Sequence, residues 1–151
     1  SLKVVGRLPE QTRAFFLGRG FPDKAARRFS ESCVIHVTLR NLGDSGLSYR
    51  LGRWRVRLPD NAHPPEAEAD WEARWRRMGV PKRGRTAFDW SMFPPEENLG
   101  AEGWALGMVS LGLKPGRHFD LVAHWRRDGQ PHKVVMKDLV CPANGTKTST
   151  R

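Results

Sequence analysis

The chain has 151 residues, 38% hydrophobic and 28% charged, which fits one globular domain large enough to bury its own core. Its formal charge of +10 draws nucleic acid, anionic lipid or an acidic partner. No apolar run approaches the roughly 20 residues that span a bilayer, which excludes a transmembrane helix.

The chain starts at Ser1, which reads as a processed or trimmed N-terminus, with no signal peptide in the chain as it stands. Residues 2–8, rich in Val and Leu, predict a short first strand. Pro9 suits a first helical turn, and a short helix through Phe15, Phe16 and Leu17 stops at Gly18-Arg19-Gly20. Pro22-Asp23 opens a second helix, with Ala25, Ala26, Phe29 and Cys33 at helical spacing. The period then falls to two. Cys33, Ile35, Val37 and Leu39 share one face, and His36, Thr38 and Arg40 the other, as in a half-buried strand. Residues 41–46 form a turn.

Leu47 to Leu58 predicts a second strand in this region whose apolar phase slips at Gly52, the pattern of a bulge. After a Pro-rich loop, Glu66 to Val80 is the clearest helix. It carries Trp71, Trp75 and Met78 on one stripe, acidic residues first and Arg74, Arg76 and Arg77 last. Gly79 stops it. Past the basic loop 81–85, Thr86, Phe88, Trp90 and Met92 alternate with Ala87, Asp89 and Ser91, which predicts a strand. Trp104 to Leu113 is a nearly continuous apolar strand. His118–Arg127 and His132–Cys141 form a hairpin about Asp128-Gly129. Phe119, Leu121, Ala123 and Trp125 share a face with Val134 and Met136. Residues 1–141 thus form one domain, and 142–151 a disordered polar tail.

This order is mainly β with two or three helical segments, as in an antiparallel β-sandwich or partly open barrel. The run Leu111-x-Leu113-x-Pro115-Gly116-x-x-Phe119-x-Leu121 resembles the corner and following strand of immunoglobulin-like and fibronectin-type sandwiches. There Phe119 stands where that corner usually holds Tyr. The resemblance implies a sandwich in which the Trp71/Trp75 helix is an insertion covering one edge or face.

Cys33 and Cys141 lie far from any C-x-x-C spacing, which argues against a redox motif or zinc knuckle. Their even count and their places beside strands point to a structural disulfide, and so to an extracytoplasmic chain, periplasmic or secreted. The competing reading is two separate buried thiols. Arg53, Arg55 and Arg57 fall on one face of the second strand beside Trp54. With Arg50 and the cations from Arg74 to Arg85 nearby, they are the candidate partner-binding face for an acidic protein or other anionic macromolecule. Against that stands a merely solvated strand face. Of the six tryptophans, Trp90, Trp104 and Trp125 read as core strand positions, Trp71 and Trp75 as a core helical stripe, and Trp54 as the one suited to partner contact.

No G-x-S-x-G, H-E-x-x-H or P-loop pattern occurs, and no catalytic set is assembled. Asp120 is placed to face Lys137 across the hairpin, and Glu66, Glu68, Asp70 and Glu72 form an acidic helix start. His36, His63, His118, His124 and His132 with Met78, Met92, Met108 and Met136 show no H-x-H or M-x-x-M cluster, so no metal or other cofactor is expected. Asn144-Gly145-Thr146 fits a glycosylation sequon. The reading is a non-catalytic, exported binding domain. The alternatives are an intracellular nucleic-acid binder and an extracytoplasmic copper-handling accessory using His118, His124 or Met136.

Overall fold

The computed structural model describes residues 1–145. In chain order they form β1 (Leu2–Gly6), α1 (Pro9–Leu17), α2 (Asp23–Ser30), β2 (Val34–Arg40), β3 (Leu47–Arg50), a 3-10 turn (Leu51–Arg53), β4 (Arg55–Arg57) and β5 (Ala62–His63). There follow α3 (Glu68–Arg77), α4 (Lys82–Ser91), β6 (Glu96–Leu99), β7 (Trp104–Ser110), β8 (His118–Arg127) and β9 (Gln130–Val140). The architecture is mainly antiparallel β with four helices, against the two or three helical segments expected, and both sheets are open.

The first sheet is β1-β2-β7, with Val4 opposite Val37 and Val37 opposite Gly107. The alternation expected along β2 holds: Ile35, Val37 and Leu39 are buried, His36 and Thr38 half-buried. The second sheet is built around β8. Its hairpin with β9 turns at Asp128-Gly129, both in the left-handed region that a two-residue turn of matching twist requires. Side chains of both sheets meet in one cluster, including Val4, Val37, Leu39, Val109, Tyr49, Trp54, Phe119, Leu121 and Leu139. Each such side chain contributes roughly 1.5–3 kcal/mol through burial.

The predicted strand 47–58 is broken by three residues of excess. β3 pairs Ser48 with Arg126, and β4 pairs Arg55 with Val122. Tyr49 to Trp54 therefore lie opposite only Ala123 to Trp125, and the surplus is taken up by the 3-10 turn rather than a one-residue bulge. An odd surplus exchanges the two faces, which is why the apolar phase slips at Gly52.

The helices form a second cluster of Phe16, Phe21, Phe29, Trp71, Trp75, Val80 and Phe88, joined to the first sheet through Val34 and Met108. Trp71 and Trp75 stack at 5.0 Å, and Phe29 meets Phe88 edge-on at 5.1 Å. Gly79, at φ 72, ends α3 as expected. The strand expected over 86–92 is instead the body of α4. Gly84 and Phe88, four apart, are its buried positions, and Phe21 packs 3.1 Å from where a Gly84 Cβ would stand. Trp90 therefore points to solvent, and Trp104 also lies outside the core; Trp125 is partly buried against it.

Beyond β9, Pro142 is buried beside Gly6, and Asn144 Oδ1 accepts the Glu10 N–H at 2.9 Å. The rest of the expected polar tail, including Thr146 of the sequon, lies outside the described residues.

Candidate functional site

Where the 3-10 turn swings away from β8, that strand loses its neighbour on one edge. The gap is closed by a side chain: Trp54 Nε1 donates to the main-chain carbonyl of His124 at 2.9 Å. Beside this closure lies a groove of about 770 Å³. Arg50, Arg53 and Arg126 supply its positive charge, Glu96 and Glu97 its negative charge, and Trp125 and His132 line the hairpin side. β3, β6, β8 and β9 each contribute, so the lining is assembled from three separate stretches of sequence.

The arginines differ in what holds them. Arg53 is exposed, and its side chain makes no hydrogen bond or ion pair with another described residue. Arg50 meets Glu96 at 3.4 Å, both side chains about two-thirds exposed, a pairing worth roughly 0–1 kcal/mol. Arg126 donates to the Gly129 carbonyl at 2.9 Å. Tyr49, in the groove wall, donates its hydroxyl to Pro94 O at 2.9 Å, and burial raises its phenol pKa.

Of the four residues expected to form one partner-binding face, only Arg53 lines the groove. Trp54 is fully buried, so the expectation that it meets a partner is corrected: the phase reversal before β4 turns it inward. Arg55 is turned back on the chain, donating to Gly52 O and Trp54 O at 2.8 Å. Arg57 pairs with Asp120 at 3.1 Å. The N–H of Asp138 and then Arg57 hold the Asp120 carboxyl below its ordinary value, with Lys137 adding charge from across the hairpin.

Cys33 and Cys141 are bonded, with Cα atoms 5.2 Å apart and both residues buried. The bond ties the start of β2 to the end of β9 and so joins the two sheets. Among the histidines, burial and then Arg7 lower the pKa of half-buried His36. His124 lines the groove, whereas Met136 sits opposite Leu121 against the core, so the two do not converge on one ligand set.

Sequence reasoning missed a carboxylate cluster. Glu68 and Glu72 of α3 and Asp89 of α4 bring oxygens within 4.8 Å of one another, because Asp89 lies on a helix rather than a strand. Burial, and then hydrogen bonding to Asp89, push Glu68 and Glu72 up to about 7; Arg76 opposes the shift at Glu72. Three carboxylates of this kind are hard oxygen ligands suited to a divalent cation. With burial pushing them up to about 7, Glu68 and Glu72 hold protons toward neutrality.

No family model matches the chain, and no curated protein does. Among solved structures it is similar to the yjhA protein from Bacillus subtilis, at 18% identity and a TM-score of 0.40. The match covers 60% of this chain and 53% of that one, so the chain spans about half the length of the structure it matches.

Proposed function

We propose that this is a non-catalytic, exported binding domain that holds an acidic segment of a macromolecular partner along the groove, through Arg50, Arg53 and Arg126. The observation that carries the reading is Arg53, a cation at the groove whose side chain has no partner among the described residues. Arg50 and Arg126 flank it with weak, exchangeable contacts. The charge of +10 supplies the long-range attraction. The disulfide supports export, since such bonds persist outside the reducing cytosol. No helix among the described residues is long and apolar enough to cross a membrane. Two open sheets sharing one core, with Phe119 buried at the corner, support an immunoglobulin-like module as the finer fold reading.

The test is titration with fluorescein-labelled polyglutamate, with single-stranded DNA as the comparison probe. Arg53→Ala with Arg126→Ala weakens polyglutamate binding by about tenfold or more while melting is unchanged. Equal binding by the double variant overturns the groove assignment. Tighter binding to DNA than to polyglutamate would favour a nucleic-acid ligand, although Trp54 is buried and offers no stacking face.

A further inference from the structure

β7 is the last strand of the first sheet, and its outer edge is only half closed. Main-chain groups in a strand point alternately to its two neighbours. The Met108 carbonyl accepts the Phe93 N–H at 2.9 Å, and the Ser110 carbonyl accepts the Glu66 N–H at 2.9 Å. These two residues therefore point away from β2, and so do Leu106 and Trp104, which share their phase. Phase agrees on the far side of β2, where Arg40 N–H, opposite Trp104, is bonded to Ser1 O. Among the described residues no strand or loop pairs with Trp104 or Leu106 on the outer edge.

The side chains there are apolar and open. Trp104 is 62% exposed and Leu106 47%. Trp90 is 86% exposed. Trp90 stands at the end of α4, just before Met92, which bridges Met108 of β7. Edge strands that must stay unpaired usually carry Lys, Pro or a bulge. The stretch from Trp104 to Leu106 has none of these. On β2, Arg40 sits opposite Trp104 and is ion-paired with Glu102 at 2.7 Å, and Lys3 of β1 lies opposite Thr38, the β2 neighbour of Leu106.

We propose that this edge takes an extended, acidic to neutral segment of a partner polypeptide as a fourth strand of the first sheet. Unpaired N–H and C=O groups at strand spacing recognise an extended backbone, and the exposed Trp104 and Leu106 receive its alternate side chains. Charge selects the occupant: Lys3 and the net charge of +10 favour an acidic segment and oppose a second copy of the chain. The edge shares no residue with the groove, and the inference does not depend on the groove reading.

The probe is the amidated, acetylated peptide EVTVEVTVE, beside the same peptide N-methylated at alternate residues, which removes one row of its donors. Binding is read by tryptophan fluorescence, and amide exchange is read residue by residue. The expected result is slower exchange at the Trp104 and Leu106 amides by about tenfold or more, lost with the N-methylated peptide. Leu106→Pro removes one outward N–H at a place where an edge strand tolerates it, and weakens binding by about tenfold. If that variant does not fold, Leu106→Lys leaves the backbone intact and blocks the edge with a charge. Arg53→Ala with Arg126→Ala leaves this binding unchanged, which separates it from the groove. No binding at about 1 mM peptide, equal binding of the N-methylated peptide, protection confined to the groove, or protection of the same amides by self-association each overturns the proposal.

Discussion

The indole Nε1 of Trp54 donates a 2.9 Å hydrogen bond to the main-chain carbonyl of His124. A side chain thus completes a strand edge that main chain leaves open over Ala123 to Trp125. One residue supports the core and, through His124, the floor of the groove. Trp54→Phe keeps an aromatic ring but leaves that carbonyl unpaired and a void beside Tyr49 and Phe93. It is expected to cost about 2–3 kcal/mol in urea denaturation, against within about 0.5 kcal/mol for exposed Arg53→Ala.

The Cys33–Cys141 bond closes a separation of 108 residues across the two sheets. Replacing both cysteines by Ala is expected to cost about 2–5 kcal/mol, measured as a lower urea midpoint than the oxidised protein. Thiol trapping of the native protein should find no free thiol among the two.

Gly107 lies where the chain from α4 passes β7. A Cβ there would stand 2.3 Å from Phe93 N and 2.4 Å from the Met92 carbonyl carbon, which are backbone atoms that side-chain rotation cannot move aside. Gly107→Ala is expected to cost about 1–3 kcal/mol and to speed amide exchange at Phe93, whose N–H is bonded to Met108.

The carboxylates at the α3–α4 contact give a pH dependence of definite sign. Glu68 and Glu72 rise to about 7 in the folded chain, so the folded state binds protons more tightly than the unfolded one. Their contribution is full below the ordinary carboxylate range and is lost as pH rises through about 7. Glu72→Gln removes the repulsion. It should raise the melting temperature by about 2 °C near pH 8 and leave it nearly unchanged near pH 5. An equal gain at both values would remove the carboxylates as its cause.

Asn41 illustrates a structural role that no periodicity exposes. Its Nδ2 donates to Ser45 O, Leu99 O and Gly100 O, and its Oδ1 accepts from Gly43 N and Arg127 Nη2. In the sequence it is one turn residue among several. Only the tertiary structure brings the 99–100 carbonyls and Arg127 to it. The same holds for α4: Phe88, Trp90 and Met92 alternate like a strand, and the helix is decided by the fit of Gly84 and Phe88 against Phe21 and Phe16.

What the sequence determined by itself is local or additive. The period along β2, the Pro9 helix start, the α3 stripe, the Asp128-Gly129 turn and the charge of +10 each depend on neighbouring residues or on a sum over the chain. The tertiary structure decided which charges are free and which edges are open. Arg53, Arg55 and Arg57 look equivalent along the chain. A surplus of three residues opposite β8 leaves the first at a groove, folds the second onto its own backbone and pairs the third with Asp120. That surplus is a difference between two strands distant in sequence, so it exists only once they are side by side.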